Sequence, residues 1–153
     1  MRNKTSKGFT LIELIIVMVI LGIMAAVAVP KYMDSITNAE ASAEDAVISS
    51  IRAGLSQYAN NSLYEDGRST WPINPFNALQ EQPTGYTGPG DLANTDDEWT
   101  YVIDASNGAS GYISHQRADN SRYTWDYDKG KRGGDDAAIG TLGERVQVEI
   151  VAE

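Results

Sequence analysis

A continuous run of apolar residues dominates the first fifth of the chain. From Leu14 to Val29, sixteen consecutive residues carry no polar or charged side chain. Counted from Phe9, the stretch is long enough at about 1.5 Å per residue to cross a hydrocarbon layer of about 30 Å as a helix. Glu13 interrupts its start. A charge in mid-membrane costs on the order of 3 kcal/mol, which the surrounding Leu, Ile and Val residues offset. The pattern therefore predicts a membrane-spanning helix.

The helical pattern continues in amphipathic form beyond Pro30. Proline inside a helix removes one hydrogen bond and crowds the preceding turn, so we expect a bend there, within one helix from Phe9 to about Asn60. Apolar residues recur three or four positions apart, and charged residues such as Glu44 and Asp45 mostly occupy other faces. The apolar positions are Tyr32, Ile36, Ala39, Ala43, Val47, Ile51, Leu55 and Tyr58.

The C-terminal half shows the two-residue alternation that is typical of strands. Strands are predicted around residues 99–103, 112–115, 123–127 and 146–150. Residues 64–98 are rich in proline and glycine and predict a long loop, with Trp71, Phe76 and Tyr86 holding it against the rest of the domain. The predicted fold class is α+β, with one long N-terminal helix and an antiparallel sheet of about four strands packed on the helix's second half.

The N-terminal segment resembles that of type IV prepilins and type II secretion pseudopilins. In that family a basic leader ends in glycine, a prepilin peptidase cuts after it, and the new N-terminal phenylalanine is methylated. The resemblance implies cleavage between Gly8 and Phe9 and N-methylation of Phe9. It also makes Glu13 the fifth mature residue, which in the family serves assembly by pairing with a neighbour's N-terminal amine. Pro30 falls where many members carry a helix-kinking proline.

Three segments follow from this resemblance. Residues 1–8 form a basic leader, residues 9–29 a transmembrane and filament-core helix, and residues 30–153 a soluble head that includes the second half of the helix. The basic leader residues Arg2, Lys4 and Lys7 place the N-terminus in the cytoplasm. The implied partners are identical subunits in a helical filament, the prepilin peptidase and methyltransferase, inner-membrane lipid and the assembly machinery. The protein would cross the inner membrane once before joining an extracellular or periplasmic filament.

Several interpretations of the apolar helix compete. The first is a pilin that polymerises into a type IV pilus-like filament, and the second is a pseudopilin of a type II secretion system. A third is a secreted soluble domain released by ordinary signal-peptide cleavage near Val29, where Ala26-Val27-Ala28 offers small residues. An uncleaved membrane anchor is a fourth. The carboxylate of Glu13 inside the apolar stretch is unexpected for a signal peptide and favours the first two.

Composition excludes other classes of function. The formal net charge is −9, and loss of the three basic leader residues makes it −12. So acidic a chain does not suit nucleic acid, whose phosphates require a basic surface. With one histidine, His115, and no cysteine, the chain has neither a Cys/His pair nor a histidine-based metal cluster. We expect a structural protein without enzymatic activity or cofactor, and we expect His115 to be a surface or half-buried strand residue.

Two further motifs are weak candidates for ligand or modification sites. Four carboxylates surround the glycine-rich segment 130–134, and clustered oxygens suit calcium; major pseudopilins are similar in using a C-terminal calcium site. Solvated strand ends beside a loop are the favoured interpretation, and no metal is predicted. The second motif, Asn60-Asn61-Ser62, has the form of a glycan acceptor. The four carboxylates are Asp126, Asp128, Asp135 and Asp136.

Overall fold

The computed structural model describes residues 8–104, 110–130 and 140–148. The contacts divide the chain into two compact parts, one up to Ala43 and one from Glu44 onwards. Helix α1 spans Leu11–Asp66, passes through Pro30 without ending, and contributes residues to both parts. A bend at Pro30 stays a prediction.

Helix α1 ends six residues later than the sequence suggested. The turn-forming residues 60–62 lie inside the helix, where the Ser62 hydroxyl is buried and donates to the Ala59 carbonyl at 3.0 Å. The helix ends instead at Asp66, directly before Gly67, whose backbone N–H donates to the Leu63 carbonyl at 3.0 Å. Gly67 has a φ of 68°, a conformation that glycine adopts without the steric cost that a Cβ would bring.

The part from Glu44 onwards, called the head below, contains a sheet of six strands among its described residues. A 3-10 helix, Pro75–Ala78, precedes them. The strands are β1 Tyr86–Pro89, β2 Trp99–Ile103, β3 Ser110–Gln116, β4 Arg122–Asp128, β5 Thr141–Leu142 and β6 Val146–Val148. Their order is β1-β2-β3-β4-β5, and β6 also pairs with β4. The first pair is parallel and the others are antiparallel.

The predicted fold class is confirmed, with two more strands than the sequence suggested. The strands predicted around residues 99–103, 112–115 and 123–127 match β2, β3 and β4. The last one matches β6 as far as Val148, and Ile150 lies outside the described residues. Strands β1 and β5 were not predicted from the sequence. Strand β1 contains Gly88 and Pro89, which are depleted in strands, and β5 has only two residues.

The core of the head lies between α1 and one face of the sheet. Helix α1 contributes Ile48, Ile51 and Leu55, and the other buried members of the cluster are Phe76, Trp99, Tyr101, Ile113, Trp125 and Tyr127. Tyr127 is additionally fixed by its hydroxyl, which donates to the Pro72 carbonyl at 2.8 Å.

The buried face of α1 differs from the predicted one. Ile51 and Leu55 are buried as expected, but Tyr32 is 68% exposed and Tyr58 40% exposed. Ala39 and Ala43 are also exposed. Besides Ile51 and Leu55, the structure buries four residues of α1 that were not predicted: Glu44, Ile48, Ala59 and Ser62. Burial on the helix begins only where the head begins, which the apolar periodicity of the helix could not reveal.

The long loop before β2 is held by its own aromatic residues, as predicted. Phe76 is fully buried and stacks on Tyr86 with ring centroids 4.1 Å apart. Asn74 caps the 3-10 helix by accepting from the Phe76 N–H at 3.0 Å, and its amide donates to the Tyr86 hydroxyl at 2.6 Å. Trp71 packs against the core from the same loop. These contacts fix the loop.

Candidate functional site: the N-terminal segment and the buried ion cluster

The N-terminus of α1 is built as a capping box. Thr10 precedes the first helical residue, and its backbone N–H and its hydroxyl both donate to the Glu13 carboxylate at 2.8 Å. In return, the Glu13 N–H donates to the Thr10 hydroxyl oxygen at 3.3 Å. This reciprocal arrangement satisfies amide groups that the first turn of a helix leaves without intrahelical partners. Phe9 and Leu14 occupy the two positions of the hydrophobic staple that often accompanies such a box.

The capping box gives Glu13 a partner within its own chain. No partner for Glu13 within its own helix was predicted from the sequence, and the structure supplies one in Thr10. The box also places the helix start at Leu11. Gly8 and Phe9 therefore lie outside the helix, and Phe9 is 93% exposed. Exposed chain outside secondary structure is the kind of substrate that peptidases cut.

The apolar side chains of α1 before Pro30 have no partner in the described parts of the chain. Each large apolar side chain from Leu11 to Val29 remains about half exposed or more. This helix is long and apolar enough to cross a membrane, judged by length and composition, and its most apolar window is entirely unburied. Because water disfavours an exposed apolar surface of this extent, another apolar environment must cover it.

A second site lies in the head, around the fully buried carboxylate of Glu44. Arg117 binds it through two nitrogens, Nε to Oε1 at 2.7 Å and Nη2 to Oε2 at 2.6 Å. His115 Nδ1 lies 2.9 Å from Oε1, and Arg145 Nη1 donates to Oε2 at 2.7 Å. We call these four residues the Glu44 cluster. It joins α1 to β3 and to the segment between β5 and β6.

Two aromatic rings pack against the buried members of the Glu44 cluster. The Arg117 guanidinium lies 3.9 Å from the centre of the Tyr123 ring, and Trp99 stacks on His115 with centroids 4.2 Å apart. Burial by itself would raise the pKa of Glu44, but hydrogen bonds from Arg117, His115 and Arg145 outweigh it and lower the pKa to about 2. Glu44 is therefore ionised, and since a carboxylate only accepts hydrogen bonds, its contact with His115 requires a hydrogen on Nδ1.

The Glu44 cluster was not predicted from the sequence. Glu44 was expected on a solvent-facing side of the helix and His115 at the surface or half buried, whereas both are buried. One signal was available: Glu44 precedes Ile48 by four residues and Ile51 by seven, so it shares their helix face. The long-range partners Arg117 and Arg145 could not be assigned, because nothing in the chain's periodicity pairs positions so distant in sequence.

The two weaker candidates gain no support. Asp135 and Asp136 lie outside the described residues, so the four-carboxylate arrangement is not tested. Within the described ranges, no three His, Cys, Asp or Glu side chains come close enough to hold a metal ion. The Asp128 carboxylate accepts from the Gly130 N–H at 2.7 Å, as a turn residue does. In the glycan motif, Asn60 is exposed, and the buried Ser62 hydroxyl accepts from the Thr70 N–H at 2.9 Å.

Comparison with known proteins supports the resemblance seen at the N-terminus. A family model described as the prokaryotic N-terminal methylation motif matches residues 3–29. A fimbrial protein of Moraxella nonliquefaciens is 42% identical over 65 residues, covering 42% of each chain. The type IV major pilin protein PilE1 of Neisseria gonorrhoeae is 38% identical over 81 residues, covering 53% of this chain and 46% of the pilin.

A type II secretion protein is about as similar to this chain as the fimbrial proteins are. The type II secretion system core protein G of Pseudomonas aeruginosa is 36% identical over 90 residues, covering 58% of this chain and 60% of that protein. The chain thus spans about half the length of the curated relatives it matches. No solved structure matches it. The predicted resemblance to type IV prepilins and type II secretion pseudopilins is confirmed.

Proposed function

We propose that this chain is a structural subunit that polymerises into a type IV pilus-like filament. The observation that carries the proposal is the coincidence of two features on one segment. Residues 3–29 match the N-terminal methylation motif, and the helix within that segment exposes its entire apolar surface. A signal peptide or simple anchor accounts for the apolar surface but not for the motif.

Processing would occur at the start of this segment. A prepilin peptidase and methyltransferase would cut after Gly8 and methylate the amine of Phe9, removing the leader of residues 1–8. Residues 9–29 would hold the subunit in the inner membrane and then form the filament core, and residues 30–153 would form the soluble part. The apolar helix can leave lipid only if a comparable apolar environment receives it. Packed helices of identical subunits provide one.

Glu13 would then act in assembly. Buried in a filament core, its carboxylate needs a compensating charge, because breaking a buried ion pair typically costs about 3–5 kcal/mol. The new amine of a neighbour's Phe9 is a suitable cation. The capping box already holds the carboxylate at the start of the helix, next to the residue that follows Phe9. Docking would therefore be favoured in the one axial position where amine and carboxylate meet.

A type II secretion pseudopilin is the second candidate. The similarity to core protein G of Pseudomonas aeruginosa favours it, and the absence of cysteine from this chain fits it, since many type IV pilins close a C-terminal loop with a cystine. The same processing, membrane insertion and Glu13 pairing apply to both candidates. They differ in whether the filament reaches the cell surface or stays in the periplasm.

Two substitutions at Glu13 test the assembly role. Glu13→Val removes both the charge and the capping box, whereas Glu13→Gln removes the charge but can complete the same box, since glutamine also serves at this position. If charge pairing drives docking, both variants enter the membrane and are cleaved after Gly8, and both fail to polymerise. Filament yield, with cleavage and membrane fractionation measured alongside, checks this.

Other results would assign Glu13 a capping role alone, or no role in assembly. If Glu13 matters only as the partner of Thr10, Glu13→Gln should restore polymerisation while Glu13→Val does not. If Glu13→Val alone, without wild-type subunits, polymerises at the normal rate, neither role holds and the proposed function of this residue is wrong.

A further inference from the structure

The last described segment of the chain, residues 140–148, lies along the outer edge of β4, and we call it the strap. It contains β5 and β6, which pair with β4 through two and three residues respectively. No residue of the strap is buried, whereas five of the seven residues of β3 are. Because release of the strap from β4 would expose little apolar surface, the hydrophobic effect holds it only weakly.

Two arginines join the strap to α1. Arg52, on the helix, donates from Nη2 to the carbonyl oxygens of Leu142 and Gly143, at 3.4 and 3.2 Å. In the opposite direction, Arg145 on the strap donates to the Glu44 carboxylate at 2.7 Å. Arg52 is exposed, and the Arg145 side chain is 30% exposed. Water can therefore solvate both guanidinium groups once these contacts break, so breaking them costs less than breaking a fully buried ion pair.

The buried part of the Glu44 cluster keeps its charge balance without the strap. Arg117 contacts both oxygens of Glu44, and both side chains are buried. Their charges cancel, and His115 supplies a further contact to the same carboxylate from β3. Loss of the Arg145 contact therefore leaves neither Glu44 nor Arg117 without a charged partner. The core between α1 and the sheet can stay folded while the strap detaches.

We propose that the strap opens and closes as a unit over the outer edge of β4 while the rest of the head stays folded, and that Arg52 and Arg145 set how often it is open. Segments held by few buried contacts open locally at a lower free energy than the whole fold. Opening frees backbone donors and acceptors along one edge of β4, and such an edge can pair with another strand. The proposal concerns the single subunit and goes beyond the proposed function.

Hydrogen exchange, measured amide by amide in the full chain kept in detergent, tests this proposal. The Gly143 N–H reports on the strap, because it donates to the Asp126 carbonyl of β4 at 2.8 Å. In the wild type, this amide and the β4 amides that face the strap should exchange about tenfold or more faster than the β3 amides, because they need only local opening. Arg145→Gln and Arg52→Gln should each accelerate their exchange about threefold or more and leave the β3 amides unchanged.

Two controls separate opening of the strap from a general loss of stability. Arg68→Gln makes the same substitution at an exposed arginine of the head, directly after Gly67, and should leave the exchange of the strap as in the wild type. Urea unfolding followed by tryptophan fluorescence reports on the core, since Trp99 and Trp125 belong to it. The urea midpoint of Arg145→Gln should equal that of the wild type, because the core does not depend on the strap.

A disulfide between the strap and β4 should reverse the effect of Arg145→Gln. Val146 faces Thr124 in the pairing of β6 with β4, and facing residues of antiparallel strands have Cα atoms about 4.5–5.5 Å apart, which a disulfide can span. The chain has no cysteine of its own, so Thr124→Cys combined with Val146→Cys can form one defined bridge. Added to Arg145→Gln, the oxidised bridge should return the Gly143 amide to wild-type exchange or slower, and reduction should restore fast exchange.

Three results would overturn the proposal. In the first, the Gly143 amide of the wild type exchanges no faster than the β3 amides, so that strap and core unfold together. In the second, Arg145→Gln accelerates exchange throughout the head or prevents the head from folding. In the third, neither arginine substitution changes exchange of the strap more than Arg68→Gln does. None of these measurements requires a filament, so this proposal and the proposed function can fail separately.

Discussion

The Glu44 cluster should contribute a large share of the stability of the head, and Glu44→Gln tests this. The substitution keeps the size and shape of the side chain but removes its charge. Arg117, only 2% exposed, would then lose the carboxylate that its guanidinium binds through two nitrogens. Arg145 is less affected, since 30% of its side chain is exposed and can be solvated. The cost should therefore arise mainly from Arg117.

Two lines of reasoning give a similar loss of stability for Glu44→Gln. Removing one partner of a buried ion pair typically costs about 3–5 kcal/mol. Independently, the pKa of Glu44 is lowered from 4.5 to about 2, and at about 1.4 kcal/mol per pKa unit the ionised carboxylate is favoured in the folded head by about 3 kcal/mol. A domain's total stability is commonly about 5–15 kcal/mol, so the loss of about 3 kcal/mol should be easily measured.

Urea unfolding followed by tryptophan fluorescence provides the assay. All three tryptophans, Trp71, Trp99 and Trp125, lie in the head, so the signal reports on the head even when the full chain is kept in detergent. Asp45→Asn is the matched control, because it removes the same charge from the adjacent residue. Asp45 is exposed and lies 3.7 Å from Arg145, so its loss should change the free energy of unfolding by about 0.5 kcal/mol or less.

The free energies of unfolding of the two variants show whether the Glu44 cluster stabilises the head. If Glu44→Gln unfolds within about 0.5 kcal/mol of the wild type, or no more easily than Asp45→Asn, the Glu44 cluster does not stabilise the head and the reasoning from its burial is refuted.

Three further predictions concern the stability and solubility of the head. Because the pKa of Glu44 is lower in the folded chain than in the unfolded one, its stabilising effect should be complete above about pH 4.5 and decline as the pH falls towards 2; a urea midpoint for the wild type that changes no more than that of Glu44→Gln over this range would contradict it. Trp125→Ala removes a buried ring that stacks on Trp99 and should cost about 3–5 kcal/mol, measured by thermal unfolding. A fragment starting near Lys31 should be a folded, soluble monomer that does not polymerise, since it lacks the exposed apolar helix; aggregation or a disordered circular dichroism spectrum would argue against this boundary.

Elements with strong local periodicity could be predicted from the sequence. The apolar run before Pro30 and the alternation in β2, β3 and β4 are local patterns, and both were found where expected. The parallel pairing of β1 with β2 is not local and involves Gly88 and Pro89, which do not signal a strand. The buried face of α1 was placed wrongly because the sheet covers the helix only from Glu44 onwards.

The two candidate sites also differ in whether a local sequence pattern could predict them. The spacing of Thr10 and Glu13 is that of a capping box, so this contact could have been predicted from the sequence, although it was not. The Glu44 cluster could not, because its partners are His115 on strand β3, Arg117 directly after that strand, and Arg145 in the segment before β6. Burial of an acid depends on cations that only the tertiary fold brings to it.

The mass of the mature chain in isolated filaments tests the central claim most directly. Filaments sheared from the cell surface, together with purified membranes, should be analysed by intact-mass spectrometry. The proposed function predicts a polymer built from a chain that begins at methylated Phe9; recovery of this chain from periplasmic filaments alone would select the pseudopilin. A soluble secreted chain that begins near Val29, or a membrane-bound chain that retains Met1 and forms no polymer, would contradict the account.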